Sequence, residues 1–237
     1  MQQITDRVYA VPGLLIGRIY VITGQDGVTV IDASYSPKTV DTLAGQLKEV
    51  GFGLSDVKNI LITHAHLDHI GGLVEMQRQI PNARTAVHFR DAPVVRGEIP
   101  APPAPPEVLN GFWRLMVRLQ GTPPLVFARV DQELKDGDSL DHILPGLQVV
   151  DLPGHSPGMI GFWWPEKRLL IGGDLMMHLP WGLVLPISAY TVDMNEAKRS
   201  IRKAADMNVD ILCVGHGRPI IGDAGEKIRV LAAKITP

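Results

Sequence analysis

One ten-residue stretch constrains the chain more than any other: Thr63-His64-Ala65-His66-Leu67-Asp68-His69-Ile70-Gly71-Gly72 packs three imidazoles and a carboxylate into six positions, directly after the apolar run that ends at Ile62. Few folds need such a loop. Side chains alternate along an extended segment, so His64 and His66 project to the same side and both can reach one cation. Asp68 and His69 lie where the chain turns into the next helix, displaced enough to reach a second. The plain alternative is a polar loop whose histidines are merely solvated. Gly71 and Gly72 either leave room for close backbone approach or serve helix packing alone.

The surrounding pattern tells where that loop sits. Residues 19–23 and 28–32 read as a hairpin around Gly24-Gln25-Asp26-Gly27. Val40, Leu43, Ala44, Leu47 and Val50 fall at helical spacing, residues 58–62 form a short buried strand, and Ile70, Leu73, Val74 and Gln77 resume the helical period. Across residues 91–127 five prolines between Pro100 and Pro106 break the pattern, which reads as an insertion or lid with one short helix around residues 112–119. A second series follows: strands at 148–152, 159–164 and 169–172, a helix at 195–207, a strand at 211–214 and a closing helix at 223–235. The whole of residues 1–237 is read as one domain.

Three further candidates each follow an apolar strand in a glycine-containing loop: His155 in Leu152-Pro153-Gly154-His155, Asp174 in Gly172-Gly173-Asp174, and His216 in Gly215-His216-Gly217. In α/β folds the strand ends carry the ligand site, so four such loops can converge. His88 and His142 read as structural, and His178, in an apolar loop after Asp174, as either structural or a substrate contact.

These motifs resemble, in kind and order, those of the metallo-β-lactamase superfamily of metal-dependent hydrolases, in its glyoxalase II and lactonase-like branch. The family's His-x-His-x-Asp-His signature stands here as His64, His66, Asp68 and His69, and its later ligands match His155, Asp174 and His216. The resemblance implies an αββα sandwich of two mixed sheets with helices outside and a metal pair at one edge. It gives His64, His66 and His155 to the first metal, Asp68, His69 and His216 to the second, and the bridge to Asp174. Asp32 occupies the family's ligand-orienting position, or else is a turn residue. Nitrogen and carboxylate donors suit Zn²⁺ at about 2.0 to 2.2 Å, although Fe and Mn accept the same set. A hydroxide shared by the pair would attack a carbonyl, with Asp68 as the catalytic proton shuttle or as a ligand only.

Departures from the family narrow the substrate. β-Lactamases place cysteine or serine at the position of Asp174, glyoxalase II carries a glutathione-binding extension absent after His216, and acyl-homoserine lactonases carry tyrosine where Met177 stands. A small ester, thioester or lactone remains, with a mononuclear iron persulfide dioxygenase using His64, His155 and Asp174, or a β-lactamase-like amide hydrolase, as alternatives. The apolar stretch 175–185 is expected either to bind an acyl group or to pack against the insertion or a second subunit. With 23 Lys plus Arg against 25 Asp plus Glu, a net charge of −2 gives no basic field for nucleic acid. The lone Cys213, the absence of a signal-like start and the lack of a long apolar run point to a cytoplasmic protein without a membrane partner, and leave room for a homodimer.

Overall fold

Strand alternation decides the architecture of the computed structural model, which describes residues 1–14, 16–121 and 123–235. Among these residues, β1 (Gln2–Gln3), β2 (Val8–Ala10), β3 (Tyr20–Thr23), β4 (Val28–Ile31), β5 (Val57–Leu61), β6 (Arg84–His88) and β7 (Gln132–Leu134) lie side by side in chain order as one sheet. Pairing is antiparallel from β1 to β4 and parallel from β4 to β7. The second sheet holds β8 (Gln148–Asp151), β9 (Ile160–Trp164) and β10 (Leu169–Gly173). After a separate hairpin of β11 (Met177–Leu179) and β12 (Gly182–Val184), it is completed by β13 (Ile211–Val214) and β14 (Ile220–Ile221), in the order β14-β13-β10-β9-β8. Only β10 and β13 run parallel as neighbours in it.

Successive side chains leave each strand on opposite faces, so neighbouring residues end up in different cores. Ile31 and Leu61 face inward and meet Phe162, Ile171 and Cys213 of the other sheet. Val30 and Ile60 face outward and pack under α1 (Thr39–Glu49) and, beyond the short α2 (Leu67–Ile70), under α3 (Leu73–Gln79), through Leu43, Leu47 and Met76. On the far side Leu170 and Leu212 meet Ile201 of α6 (Met194–Asp206) and Ile228 of α7 (Ala224–Lys234). The layers are therefore helix, sheet, sheet, helix, the expected αββα sandwich.

Two stretches gain detail that the sequence does not give. The segment from residue 91 begins with α4 (Ala92–Val95), whose Ala92, Val94 and Val95 are buried in the first core. Pro93 is tolerated in it, because proline is harmless in the first turn of a helix, where its missing N–H has no partner to lose. The helix expected further on is α5 (Gly111–Gln120), started by Asn110 accepting the Trp113 N–H at 3.0 Å. Within the apolar stretch 175–185, Leu175 and Met176 are core residues and Leu183 and Leu185 pack against them, while Trp181 stands 77% exposed at the tip between β11 and β12. No helix among the described residues is long and apolar enough to cross a membrane.

Phe162, buried between the sheets, and Leu119, 72% exposed on α5, give a contrast that tests this layering. Phe162→Ala should lower unfolding free energy by about 3–5 kcal/mol, and Leu119→Ala should stay within about 0.5 kcal/mol, both measured by urea denaturation.

Candidate metal centre

The polar loops gather at one edge because the strands that feed them point the same way. β4, β5 and β6 are parallel, and β8 runs in the direction of β10 and β13, since β8 and β10 are both antiparallel to β9. Their C-terminal ends carry Asp32, His64, Asp91, His155, Asp174 and His216, the end of an open α/β sheet where polar loops meet. Asp32 leaves β4 at φ 64. That left-handed turn costs a non-glycine residue roughly 1–3 kcal/mol, and it swings the carboxylate back towards β5.

All seven residues anticipated from the sequence come together, in two adjoining groups. His64, His66 and His155 form one; Asp68, His69, Asp174 and His216 form the other, and within each the donor atoms lie within 4.8 Å of one another. His66 Nδ1 sits 2.9 Å from His155 Nε2. Asp174 spans the groups: Oδ2 is 3.3 Å from His155 Nε2 and 3.1 Å from His216 Nε2, and Oδ1 is 3.3 Å from His69 Nε2. Asp68 Oδ2 lies 3.0 Å from His216 Nε2. His64 Nε2, His69 Nε2 and Asp174 Oδ1 are buried without a hydrogen bond. Each such atom costs about 1–3 kcal/mol, and three of them converge on one place. A nitrogen and carboxylate donor set with unsatisfied atoms aimed inward fits divalent cations.

Hydrogen bonds behind the imidazoles decide which nitrogen faces the cluster. Thr63 donates its N–H to Asp32 Oδ1 and its hydroxyl to Asp32 Oδ2, both at 2.8 Å. Its oxygen is then free to accept the Nδ1–H of His64 at 3.1 Å, leaving Nε2 for the cluster. His69 donates Nδ1–H to Asp32 Oδ2 at 2.8 Å. Thr191 donates to the Ile187 carbonyl at 2.8 Å and accepts the Nδ1–H of His155 at 3.1 Å. Asp32 is therefore more than a turn residue, since it orients His69 directly and His64 through Thr63.

The charges sort the groups. Burial, with His69 and His66 close by, pushes His64 well below its usual range, and burial beside His155 lowers His66 to about 3. Both are neutral lone-pair donors. Burial works against ionised Asp68, but His69 and His216 hold it at about 2; it works against Asp174 too, but His69, His155 and His216 keep that carboxyl well below its ordinary value. Conversely, burial disfavours charged His69 and His216, yet Asp174, Asp32 and Asp68 raise the first well above its ordinary value, and hydrogen bonds to Asp174 and Asp68 raise the second to about 9.

Sequence reasoning missed two supports. Asp91 is buried and accepts from the Ala65 N–H at 2.9 Å, the Ser156 hydroxyl at 2.7 Å and the Gly158 N–H at 2.7 Å, so it ties the loop of His64 to the loop of His155. It follows the unread strand β6 by three residues, which hid it. At Gly215 any Cβ would overlap Asp174 Oδ1, so only glycine lets β13 pass the carboxylate. His178 does not contact the cavity: it donates Nδ1–H to the Arg218 carbonyl at 2.8 Å, and its N–H bonds the His216 carbonyl at 3.0 Å, pinning that loop. His88 is buried and accepts the Arg90 N–H at 3.2 Å, and His142 is exposed.

A cavity of about 460 Å³ opens onto the cluster. Its floor is formed by Asp68, His66, His155, Asp174 and His216, and one wall by Pro100, Ala101 and residues 123–126 of the proline-rich segment. Of the apolar stretch after Asp174, Met177 alone lines it among residues 175–185.

Comparison with known proteins agrees with this geometry. Residues 12–216 match the family model for the metallo-beta-lactamase superfamily. A probable metallo-hydrolase of Bacillus subtilis (strain 168), YflN, is 27% identical over 205 residues, covering 81% of this chain and 76% of its own. A hydroxyacylglutathione hydrolase of Cereibacter sphaeroides is 29% identical over 171 residues, 72% of this chain but 51% of its own length. Among solved structures, TTHA1623 in a di-iron-bound form superposes with a TM-score of 0.65 at 25% identity, covering 96% of this chain and 97% of that one.

The two supporting aspartates should fail differently. Asp32→Ala is expected to weaken metal binding about 10–100-fold, read by competition with a chromophoric chelator. Asp91→Ala strands three buried donors and should cost about 3 kcal/mol or more in urea unfolding.

Proposed function

The chain belongs to the metallo-β-lactamase superfamily, and on that footing we propose that it is a metal-dependent hydrolase of small esters, thioesters or lactones. In this reading a pair of divalent cations, zinc first among them, occupies the two adjoining groups: His64, His66 and His155 hold one, and Asp68, His69 and His216 hold the other. The observation that carries it is the position of Asp174, whose Oδ2 lies 3.3 Å from a histidine of the first group and whose Oδ1 lies 3.3 Å from one of the second. A carboxylate so placed can give an oxygen to each cation.

When bound, such a pair would supply Lewis acidity, making a water acidic enough to attack near neutral pH and stabilising charge that develops on a carbonyl oxygen. The chain's own groups do the rest. Asp32 holds His69 in one orientation, and Thr63 and Thr191 do the same for His64 and His155. Asp68 lines the cavity and is one-quarter exposed, so its ionised carboxylate can accept a proton and pass it to a leaving atom, or serve as a ligand only. The apolar wall keeps bulk water from the substrate carbonyl. An iron dioxygenase using only His64, His155 and Asp174 would leave Asp68, His69 and His216 without a task, yet these three are gathered as closely as the others.

Asp174→Ala should retain native circular dichroism, bind one metal equivalent fewer and lose nearly all turnover of aryl esters and lactones. Wild-type activity in that variant would overturn the bridging role. Chelator-stripped protein should recover turnover on adding Zn²⁺ or Mn²⁺, and unchanged activity after verified metal removal would overturn the reading as a whole.

A further inference from the structure

The cavity above the cluster separates its charges sharply. Among the described residues, no lysine or arginine lines it. Its only acids are Asp68 and Asp174, and its histidines are His66, His155 and His216, all drawn into the cluster on the floor. The walls are otherwise uncharged and mainly apolar, formed by side chains such as Ile16, Leu67, Val94, Leu125, Met177 and Ile187, with Tyr35 and Tyr190 adding aromatic rings and their hydroxyls. The character of the wall continues to the mouth, where Ile16, Tyr35 and Leu125 are each about half exposed.

A carboxylate or phosphate entering such a space gives up its hydration and meets no cationic side chain on the wall, and an ammonium meets no acid there outside the cluster. An aliphatic chain or a ring meets the opposite case, since it covers apolar wall that water would otherwise wet. Resting on the hydrolase reading for the position of the reacting carbonyl, we infer that the part of the substrate filling the cavity is uncharged and apolar, an alkyl or alicyclic acyl group. Acyl portions bearing a remote carboxylate, phosphate or ammonium are discriminated against. The wall that reads this is the proline-rich segment with Ile16 and Tyr35, rather than the apolar stretch after Asp174, which sends mainly Met177 into the space.

The test uses isothermal titration of metal-loaded protein with N-phenylhexanamide and with two counterparts whose chain ends in a carboxylate or an ammonium. The neutral ligand is expected to bind at least tenfold more tightly than either charged one. Leu125→Arg, at a half-exposed wall position, should recover binding of the carboxylate form alone. Comparable binding of the neutral and a charged form would overturn the inference, as would no binding of the neutral one. Turnover of 4-nitrophenyl hexanoate, followed in parallel, separates the two claims. Discrimination without turnover removes the hydrolase reading and leaves the uncharged ligand standing. Turnover of the hexanoate and of its ω-carboxylate counterpart at equal kcat/KM overturns the inference and keeps the hydrolase.

Discussion

Two carboxylates held ionised among buried imidazoles set the terms for everything near them. Asp174 is only 4% exposed; burial pushes its carboxyl up, and His69, His155 and His216 together hold it well below its ordinary value. That arrangement survives only while four loops from two sheets stay in register, because each contributes a group the others need. Asp32 supplies the first restraint by fixing His69 and, through Thr63, His64. Asp91 supplies the second by joining the loops of His64 and His155 through three hydrogen bonds. Neither carboxylate belongs to either of the two clustered groups, yet both use their hydrogen-bonding capacity to hold those groups still.

The sandwich makes such a demand possible. Parallel strands under helices end in loops that cannot hydrogen-bond laterally, so polar side chains complete their backbone bonding. Thr63 N–H to Asp32 and Ala65 N–H to Asp91 are that completion here. The left-handed turns at Asp32 and Ser34 cost backbone energy. They are offset by bonds that exist only in this conformation, including Ala33 N–H to the His69 carbonyl and Gly72 N–H to the Ser34 carbonyl. Gly71 and Gly72 make the close approach possible, as a Cβ on either would strike the Tyr35 or Ala33 carbonyl.

The clustered residues were legible in the sequence because their chemistry is dense and the strands before them are apolar. His64, His66, Asp68 and His69 announce themselves within six positions, and the strands before His155, Asp174 and His216 show no competing pattern. The strands β2, β6 and β7 were not legible. They are three to five residues long, and two of them carry charged residues, Arg84 in β6 and Glu133 in β7, that blur a period of two. Asp91 was hidden for the same reason, since its role depends on a strand that had not been read. Gly215 looks like any loop glycine until Asp174 is beside it. The division of the apolar stretch 175–185 between core and cavity is a tertiary matter, since β11 and β12 form their own hairpin and turn most of their side chains away from the cluster.

The proline-rich break gains a physical meaning from where it ends up. A cavity wall made of ordinary backbone presents N–H groups that must be paired or hydrated, and each unpaired donor would draw water onto an apolar ligand. Proline has no N–H to leave unpaired. Pro100, Pro123 and Pro124 line the cavity, so the feature that forbids regular structure also gives a wall without backbone donors at those positions. α4, whose Val94 also lines the cavity, anchors the start of the segment in the first core, and the Ala128 N–H returns its end to the Val95 carbonyl at 3.0 Å. The segment is thus tied at both ends, and with α5 as its longer helix it lies beside the site without extending a sheet. Charge on the floor and a donor-poor wall are two halves of one arrangement: the loops at the strand ends gather the ionisable groups, and among the described residues the proline-rich segment adds none beside them.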